Sequence, residues 1–471
     1  MKKCLKNRIF DTISEVSNKS GVEAYVIGGY VRDCILGRKQ PKMDIDIVVL
    51  GSGIDIAKKV ANCLNHKIKV NIFKNFGTAM FRYDGSDIEF VGARKESYNA
   101  DSRKPSVENG SLEDDQLRRD FTINALAISL NKETYGEFSD PFNGMDDISE
   151  GIIKTPLAPD KTFSDDPLRM MRAIRFACQL NFRIDPLTFD SIKNNSDRIN
   201  IVSIERIVVE LNKILTSEKP SIGLQLLYDS GLLLKFFPEL HNLKGVDVKD
   251  NNEHKDNFDH TIQVVDKVSN NSDNIFLRWA ALLHDIAKPV TKRYSEDVGW
   301  TFHGHEFIGS KMVADIFRRL KLPMNENMRY VKKLVALHLR PISLSGKDVT
   351  DSAVRRLLYE AGGDIDDLMI LCEADITSKN VKKVKLHLEK FGLVRKKLED
   401  IEARDHIRNF KPPIDGMDII KTFDIKPGVK VGIIKDAIKD AILDGIIPNE
   451  YNAAKELMLK KAEELGLTPI K

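Results

Sequence analysis

Residues 24–50, AYVIGGYVRDCILGRKQPKMDIDIVVL, restrict this chain more than any other stretch. Gly28 and Gly29 follow a short apolar run that reads as a strand, and Arg32 falls on the first turn of the helix that should follow. That turn lets backbone amides and the positive helix end approach phosphate, while Arg32 adds a charge-assisted contact. Asp44 and Asp46 then sit one residue apart in the apolar run DIDIVVL. Side chains on a strand alternate with period two, so both carboxylates point to one face. A buried strand has no structural use for paired like charges. Two carboxylates on one face can share divalent cations, and Mg2+ held there can bridge nucleotide phosphates and an attacking hydroxyl.

The chain has 471 residues, enough for three or four domains. Its 42% hydrophobic and 30% charged residues describe an ordinary globular protein, and a net charge of +3 does not announce a nucleic-acid partner. Cys4, Cys34, Cys63, Cys178 and Cys372 are scattered without a C-x-x-C pair, so reduced thiols are expected. The start has no long apolar core and no apolar run approaches a membrane span. The expected location is cytoplasmic, with no membrane partner.

Residues 8–140 read as α/β: a helix near 8–18, strands at 24–27 and 44–50, a helix near 54–64, and strands near 67–72, 78–83 and 87–94. Residues 95–116 have the composition of a mobile loop, and the apolar segment 124–130 resumes the fold. From about Asp165 the pattern is helical, with Asp165 and Ser203 as start signals. The expected divisions are 1–150, 151–245, 246–385 and 386–471.

LRRDFTINALAISL from Leu117, DPFNGMDDI from Asp140 and SDDPLRMMRAIRFA from Ser164 follow the GGYVRD and DID segments in order. On these motifs the first half resembles the class II tRNA nucleotidyltransferases and poly(A) polymerases, within the DNA polymerase beta-like superfamily. The resemblance implies an α+β chain: a nucleotidyltransferase head with a mixed sheet, then all-α neck, HD and tail domains. It implies that Asp44 and Asp46 bind two Mg2+ ions. Gly29, Arg32, Arg119, Asp120, Asp166, Arg169, Arg172 and Arg175 would contact nucleotide, with Gly28 in the same turn. Arg118 and Asn124 would shape the ribose site. Glu89 is either a third acid near the metals or an outward-facing charge.

Asp166 and Arg169, three apart on an expected helix, would share a face. A carboxylate accepts from the exocyclic amine of cytosine or adenine, and a guanidinium donates to the neighbouring ring acceptor. Uracil and guanine present a carbonyl where the amine should be. An unmatched polar group in a closed site costs roughly 1–3 kcal/mol, enough to select CTP and ATP.

The second half carries His260, then LLHDIAK with His284 and Asp285, FHGHE with His303 and His305, His338, and CEADITSK with Asp375. The set resembles an HD domain and implies a divalent metal on His260, His284, Asp285 and Asp375. His303, His305 and His338 are candidates for a second position. Such a unit either hydrolyses phosphoesters or serves as a metal-stabilised body.

The expected activity is template-independent addition of C, C and A to tRNA 3′ ends from CTP and ATP, with release of pyrophosphate. A-only addition, CC-only addition and poly(A) synthesis share the same motifs. A reading of another class is an HD phosphohydrolase whose first half only binds RNA.

Overall fold

The computed structural model describes the chain except residues 39–43, 75–76, 100–101, 247, 250–251, 254–255, 347–348, 378–379, 409 and 471. It divides into two compact units, Met1–His241 and Asn242–Lys471.

The first unit is built on a seven-stranded mixed sheet. Its order is Asn71–Phe73, Thr78–Tyr83, Ser86–Gly92, Asp44–Val49, Ala24–Ile27, Ala127–Ser129 and Phe138–Ser139. Asp44–Val49 pairs in parallel with Ser86–Gly92, and the other pairings are antiparallel. Helices Arg8–Lys19 and Gly53–Leu64 pack together, the first burying Ile9, Phe10, Ile13 and Val16 at helical spacing. Asn7 and Ser52 cap them by accepting backbone hydrogen bonds from Ile9 and Asp55. Beyond the sheet, the arginine-rich helix Leu168–Leu180 packs on Ile204–Leu215 and Pro220–Asp229.

Three expectations need correction. Residues 95–116 are not a loop: Arg94–Asn99 pairs antiparallel with Ser102–Asn109, and helix Leu112–Leu117 follows with a Ser111/Asp114 capping box. The polar composition hid a hairpin held by backbone pairing and anchored at its base, where Ala93 and Leu112 join the core around Ile27 and Val48. Its tip, residues 100–101, lies outside the described residues. The strand expected near 67–72 forms only over Asn71–Phe73.

The cysteines are not all reduced either. The one-turn helix Lys2–Leu5 lies against helix Gly29–Ile35, which brings Cys4 and Cys34 into a disulfide, and the Tyr30 hydroxyl donates to the Cys4 carbonyl at 2.6 Å. Spacing in sequence carried no sign of a contact made across two elements. Cys63, Cys178 and Cys372 are outside any disulfide.

The second unit is helical apart from short strand pairs. Helices Asn257–Ser269, Ile275–Leu283, Glu326–Leu337 and Ile365–Asp375 pack around one core, with His305–Arg319 against Glu326–Leu337. Toward its end, Arg356 on Asp351–Ala361 pairs with Asp440 and Asp444, at the end of helix Val429–Leu443. No helix among the described residues is long and apolar enough to cross a membrane.

Candidate active site and metal centre

Strand Asp44–Val49 buries Ile45 and Ile47 and turns Asp44 and Asp46 to the opposite face. The parallel neighbour sets Asp87 beside Asp44 and Glu89 beside Asp46, so four acids stand on adjacent strands. Burial raises the carboxyl of Asp46; Arg119, 3.9 Å away, opposes the rise and Asp44 reinforces it. Glu89 is raised by burial and then by Asp46. Carboxylates crowded in this way gain from a shared cation.

Gly28 has φ +83°, and a Cβ there would lie 2.7 Å from Arg119 Nη1 and 3.1 Å from Asp46 Oδ2. The positive φ favours glycine, and any side chain there would push on Arg119 and Asp46, so the Gly-Gly turn lies directly beside Asp46.

Opposite the acids runs a relay of paired groups. Arg32 donates to Asp33 at 2.9 Å and to Asn124 Oδ1 at 2.7 Å; Asn124 donates to Asp120 at 3.0 Å, and Arg172 donates to Asp120 at 2.7 Å. Burial alone would raise Asp120, but Arg172, the Asn124 hydrogen bond and Arg169 outweigh it and hold the carboxyl at about 2. Burial pulls the guanidinium of Arg175 down while Glu210, 2.5 Å away, supports its charge.

A cavity of about 1090 Å³ is lined by Asp44, Asp46, Gly29, Arg32, Arg119, Asp120, Asn124, Arg172 and Arg175. A smaller one of about 310 Å³, sharing Asp46, Arg119, Asp120 and Arg172, is lined by Asp166, Arg169 and Arg118. The two motif sets therefore meet at Asp46.

Asp166 is not on the helix with Arg169. Asp165 ends helix Pro159–Asp165 instead of starting the next, and Asp166 occupies the break, its Oδ1 accepting from Leu168 N at 3.2 Å. Pro167 explains the break, because the residue before proline is pushed out of the helical region. Arg169 donates to the Arg118 carbonyl at 2.6 Å. Sequence reasoning missed Asp115 and Glu210, both buried, which hold Arg118, Arg119 and Arg175 in place. The one available signal was a glutamate within the apolar pattern of IVVELNKIL.

In the second unit, six side chains converge, most of them from helix ends. His260 Nε2 lies 2.8 Å from Asp375 and 3.5 Å from Asp285, and His284 Nε2 lies 3.2 Å from Asp285. On the other side of Asp285, His305 Nε2 is 3.2 Å away and His338 Nε2 is 4.0 Å away. Two buried triads thus share Asp285, with one ligand atom from each residue within 4.8 Å of the others. His303 is exposed and belongs to neither.

The Nδ1 atoms of His284, His305 and His338 face the carbonyls of Ala281, Phe302 and Val335 at 2.7–2.8 Å. A carbonyl only accepts, so each Nδ1 carries the proton and each Nε2 is left to bind. Burial disfavours a charged His284, yet Asp285 and Asp375 drive it up to about 10. Burial, and then His284, takes His338 down to about 4. Four imidazoles with two carboxylates suit one or two transition-type divalent ions, and bound ions would replace the protons this cluster otherwise shares.

Family models match in order: the poly A polymerase head domain over residues 24–154, the probable RNA and SrmB-binding site of polymerase A over 181–244, and the HD domain over 257–380. A CCA-adding enzyme of Ligilactobacillus salivarius is 28% identical over 96% of this chain and 95% of its own length. The multifunctional CCA protein of Pseudomonas fluorescens is 31% identical over 64% of this chain and 70% of its own. An A-adding tRNA nucleotidyltransferase of Aquifex aeolicus reaches 42% identity, but the match spans only 20% of that protein. The structure of the Bacillus stearothermophilus CCA-adding enzyme in complex with CTP superposes with a TM-score of 0.70 at 23% identity, covering 99% of this chain and 100% of that one.

Proposed function

Because the chain belongs to the family of CCA-adding tRNA nucleotidyltransferases, we propose that it adds C, C and A, one nucleotide at a time, to the 3′ end of tRNA. The substrates are CTP and ATP and the product is pyrophosphate. The observation that carries this reading is the meeting of the same-face pair Asp44 and Asp46 with the Arg32, Asp120 and Arg172 relay in one cavity. Asp44 and Asp46, with Glu89 beside them, would hold Mg2+, which supplies activation of the RNA hydroxyl and neutralisation of the leaving phosphates. The residues of the chain do the rest. Gly28 and Gly29 admit the triphosphate close to the backbone. Arg32, Arg119, Arg172 and Arg175 receive its oxygens, with Asp120 and Asn124 orienting Arg172 and Arg32. Asp166 and Arg169 read the Watson–Crick edge of the base.

The division that supports this work is a head over 1–150, a neck over 151–245, an HD unit over 246–385 and a tail over 386–471. The last two would bring tRNA phosphates under the control of lysines and arginines, so binding should weaken as salt rises. A cytoplasmic location completes the reading. Three cysteines outside any disulfide suit it, and the bond between Cys4 and Cys34 is the one that a reducing compartment would act on.

A second activity is favoured by the two triads on Asp285. His260, His284, Asp285 and Asp375, with His305 and His338, would hold divalent ions that would supply Lewis-acid chemistry for phosphoester hydrolysis.

The test is incubation of the purified protein with tRNA trimmed of its CCA end, using CTP alone, ATP alone and both. The expected products are CC with CTP alone, nothing with ATP alone, and CCA with both. Extension only of tRNA already ending in CC would show an A-adding enzyme. Products stopping at CC with both nucleotides would show CC-only addition, and long A tracts a poly(A) polymerase. No extension alongside phosphoester hydrolysis would favour an RNA-binding hydrolase.

A further inference from the structure

Three of the guanidinium groups facing the large cavity gather on one aromatic ring. The Cζ atoms of Arg175, Arg32 and Arg172 lie 3.8, 4.8 and 5.5 Å from the centre of the Phe176 ring, which itself lines the cavity. Phe121 meets that ring edge to face, with centroids 5.8 Å apart and planes at 83°. Each guanidinium also has a carboxylate of its own: Asp33 for Arg32, Asp120 for Arg172 and Glu210 for Arg175.

Three like charges around one point repel. The three carboxylates offset that repulsion from three different elements, and with Asn124 on Arg32 and Gln179 on Arg175 they hold the guanidinium groups by their edges. The ring adds a contact to their faces that all three share. Its π face carries the negative end of the quadrupole, so a cation within about 6 Å is drawn to it, more strongly where water is excluded. Arg32 comes from helix Gly29–Ile35, whereas Arg172 and Arg175 come from helix Leu168–Leu180, so one side chain sets the spacing of groups on two elements. An aliphatic residue at this place would fill the core equally well without ordering the three cations.

We propose that Phe176 is a positioning residue that holds Arg32, Arg172 and Arg175 at the spacing a nucleoside triphosphate requires. This rests on the reading that the cavity receives CTP and ATP. The ring does not touch the reacting atoms; it acts through the arginines. Its loss therefore weakens nucleotide capture more than the chemical step.

The experiment replaces Phe176 site-specifically with mono-, di- and trifluorophenylalanine, which keep the ring's shape while draining its quadrupole. Steady-state addition to trimmed tRNA is measured with CTP and with ATP. The KM for both nucleotides should climb with each fluorine, to about 10-fold at three, while kcat stays within about 2-fold. Phe176→Leu should resemble the trifluoro protein, and Phe176→Tyr should restore the original KM. A KM that is flat across the fluorinated series overturns the proposal, even if Phe176→Leu fails to fold. So does a series in which kcat falls and KM holds. Arg172→Ala separates the two levels. If it leaves the nucleotide KM unchanged, the assignment of the cavity is wrong; if it raises KM while the fluorinated series is flat, only the role of Phe176 is wrong.

Discussion

The two units use charged side chains in opposite ways. In the first, the acids on the sheet and the arginines across from them stand apart around a cavity of about 1090 Å³, and Asp44 is exposed. In the second, His284, Asp285 and His338 are at most 1% exposed, with His284 and His338 3.2 and 4.0 Å from Asp285. An open arrangement of opposed charges suits a large polyanionic substrate that must enter and leave. A closed knot of imidazoles and carboxylates suits small ions that stay. The contrast is between an arrangement open to a substrate that turns over and one closed around a space the size of a small ion.

The largest effect is expected from Asp46→Ala. Nucleotide addition should fall by about 10³-fold or more, because one of the two same-face carboxylates proposed to hold Mg2+ is lost. Hydrolysis and metal content in the second unit should not change. Persistent addition would mean that turnover occurs elsewhere.

Retention is tested by Asp285→Ala, or by a strong chelator. Asp285 serves both triads, so metal measured by mass spectrometry should fall by more than half. Unfolding of the second unit should shift down by about 3 kcal/mol if the ion is normally present at a hundredfold excess over its dissociation constant. Addition of CTP should continue. An unchanged metal content would remove the cluster from consideration as a metal centre.

Acid sharpens the picture of the first unit. Asp120 is depressed from 3.8 to about 2, so its contribution is present above the unfolded value and is lost as pH falls from about 4 through 2. The amount is roughly 2 kcal/mol. Chemical denaturation across that window should show wild type losing more stability than Asp120→Asn; equal slopes would mean that other carboxylates carry the acid sensitivity.

The smallest effect concerns choice of base. Asp166→Ala should narrow the preference for CTP over UTP by about 10-fold in kcat/KM, the scale of one unmatched polar group. A ratio that does not move would leave Asp166 as no more than the cap of the following helix.

Much of both sites was legible because their residues cluster in short motifs. Period two alone puts Asp44 and Asp46 on one face, and the Gly-Gly turn needs no tertiary knowledge to be recognised as special. What stayed open, as with Glu89, or hidden, as with Glu210, depends on partners distant in the chain. Glu89 stands beside Asp46 only because Ser86–Gly92 inserts in parallel next to Asp44–Val49, an order no local pattern states. Glu210 reads as a stray charge until it meets Arg175 thirty-five residues away. The hairpin Arg94–Asn99 with Ser102–Asn109 failed for another reason: backbone pairing leaves little trace in a polar composition. His303 and His305 are two residues apart, yet one is exposed and one is a buried ligand candidate, because only His305 begins the helix that packs inward.

The covalent bond between the first turn of the chain and helix Gly29–Ile35 has a practical corollary. Closing thirty residues into a ring shrinks the denatured ensemble, which in the chain-entropy picture favours the native state by roughly 3–4 kcal/mol. The same ring carries strand Ala24–Ile27 and the wall from which Arg32 reaches out. Dithiothreitol in a purification buffer is therefore an experimental variable, and two laboratories using different buffers would be handling molecules of different topology.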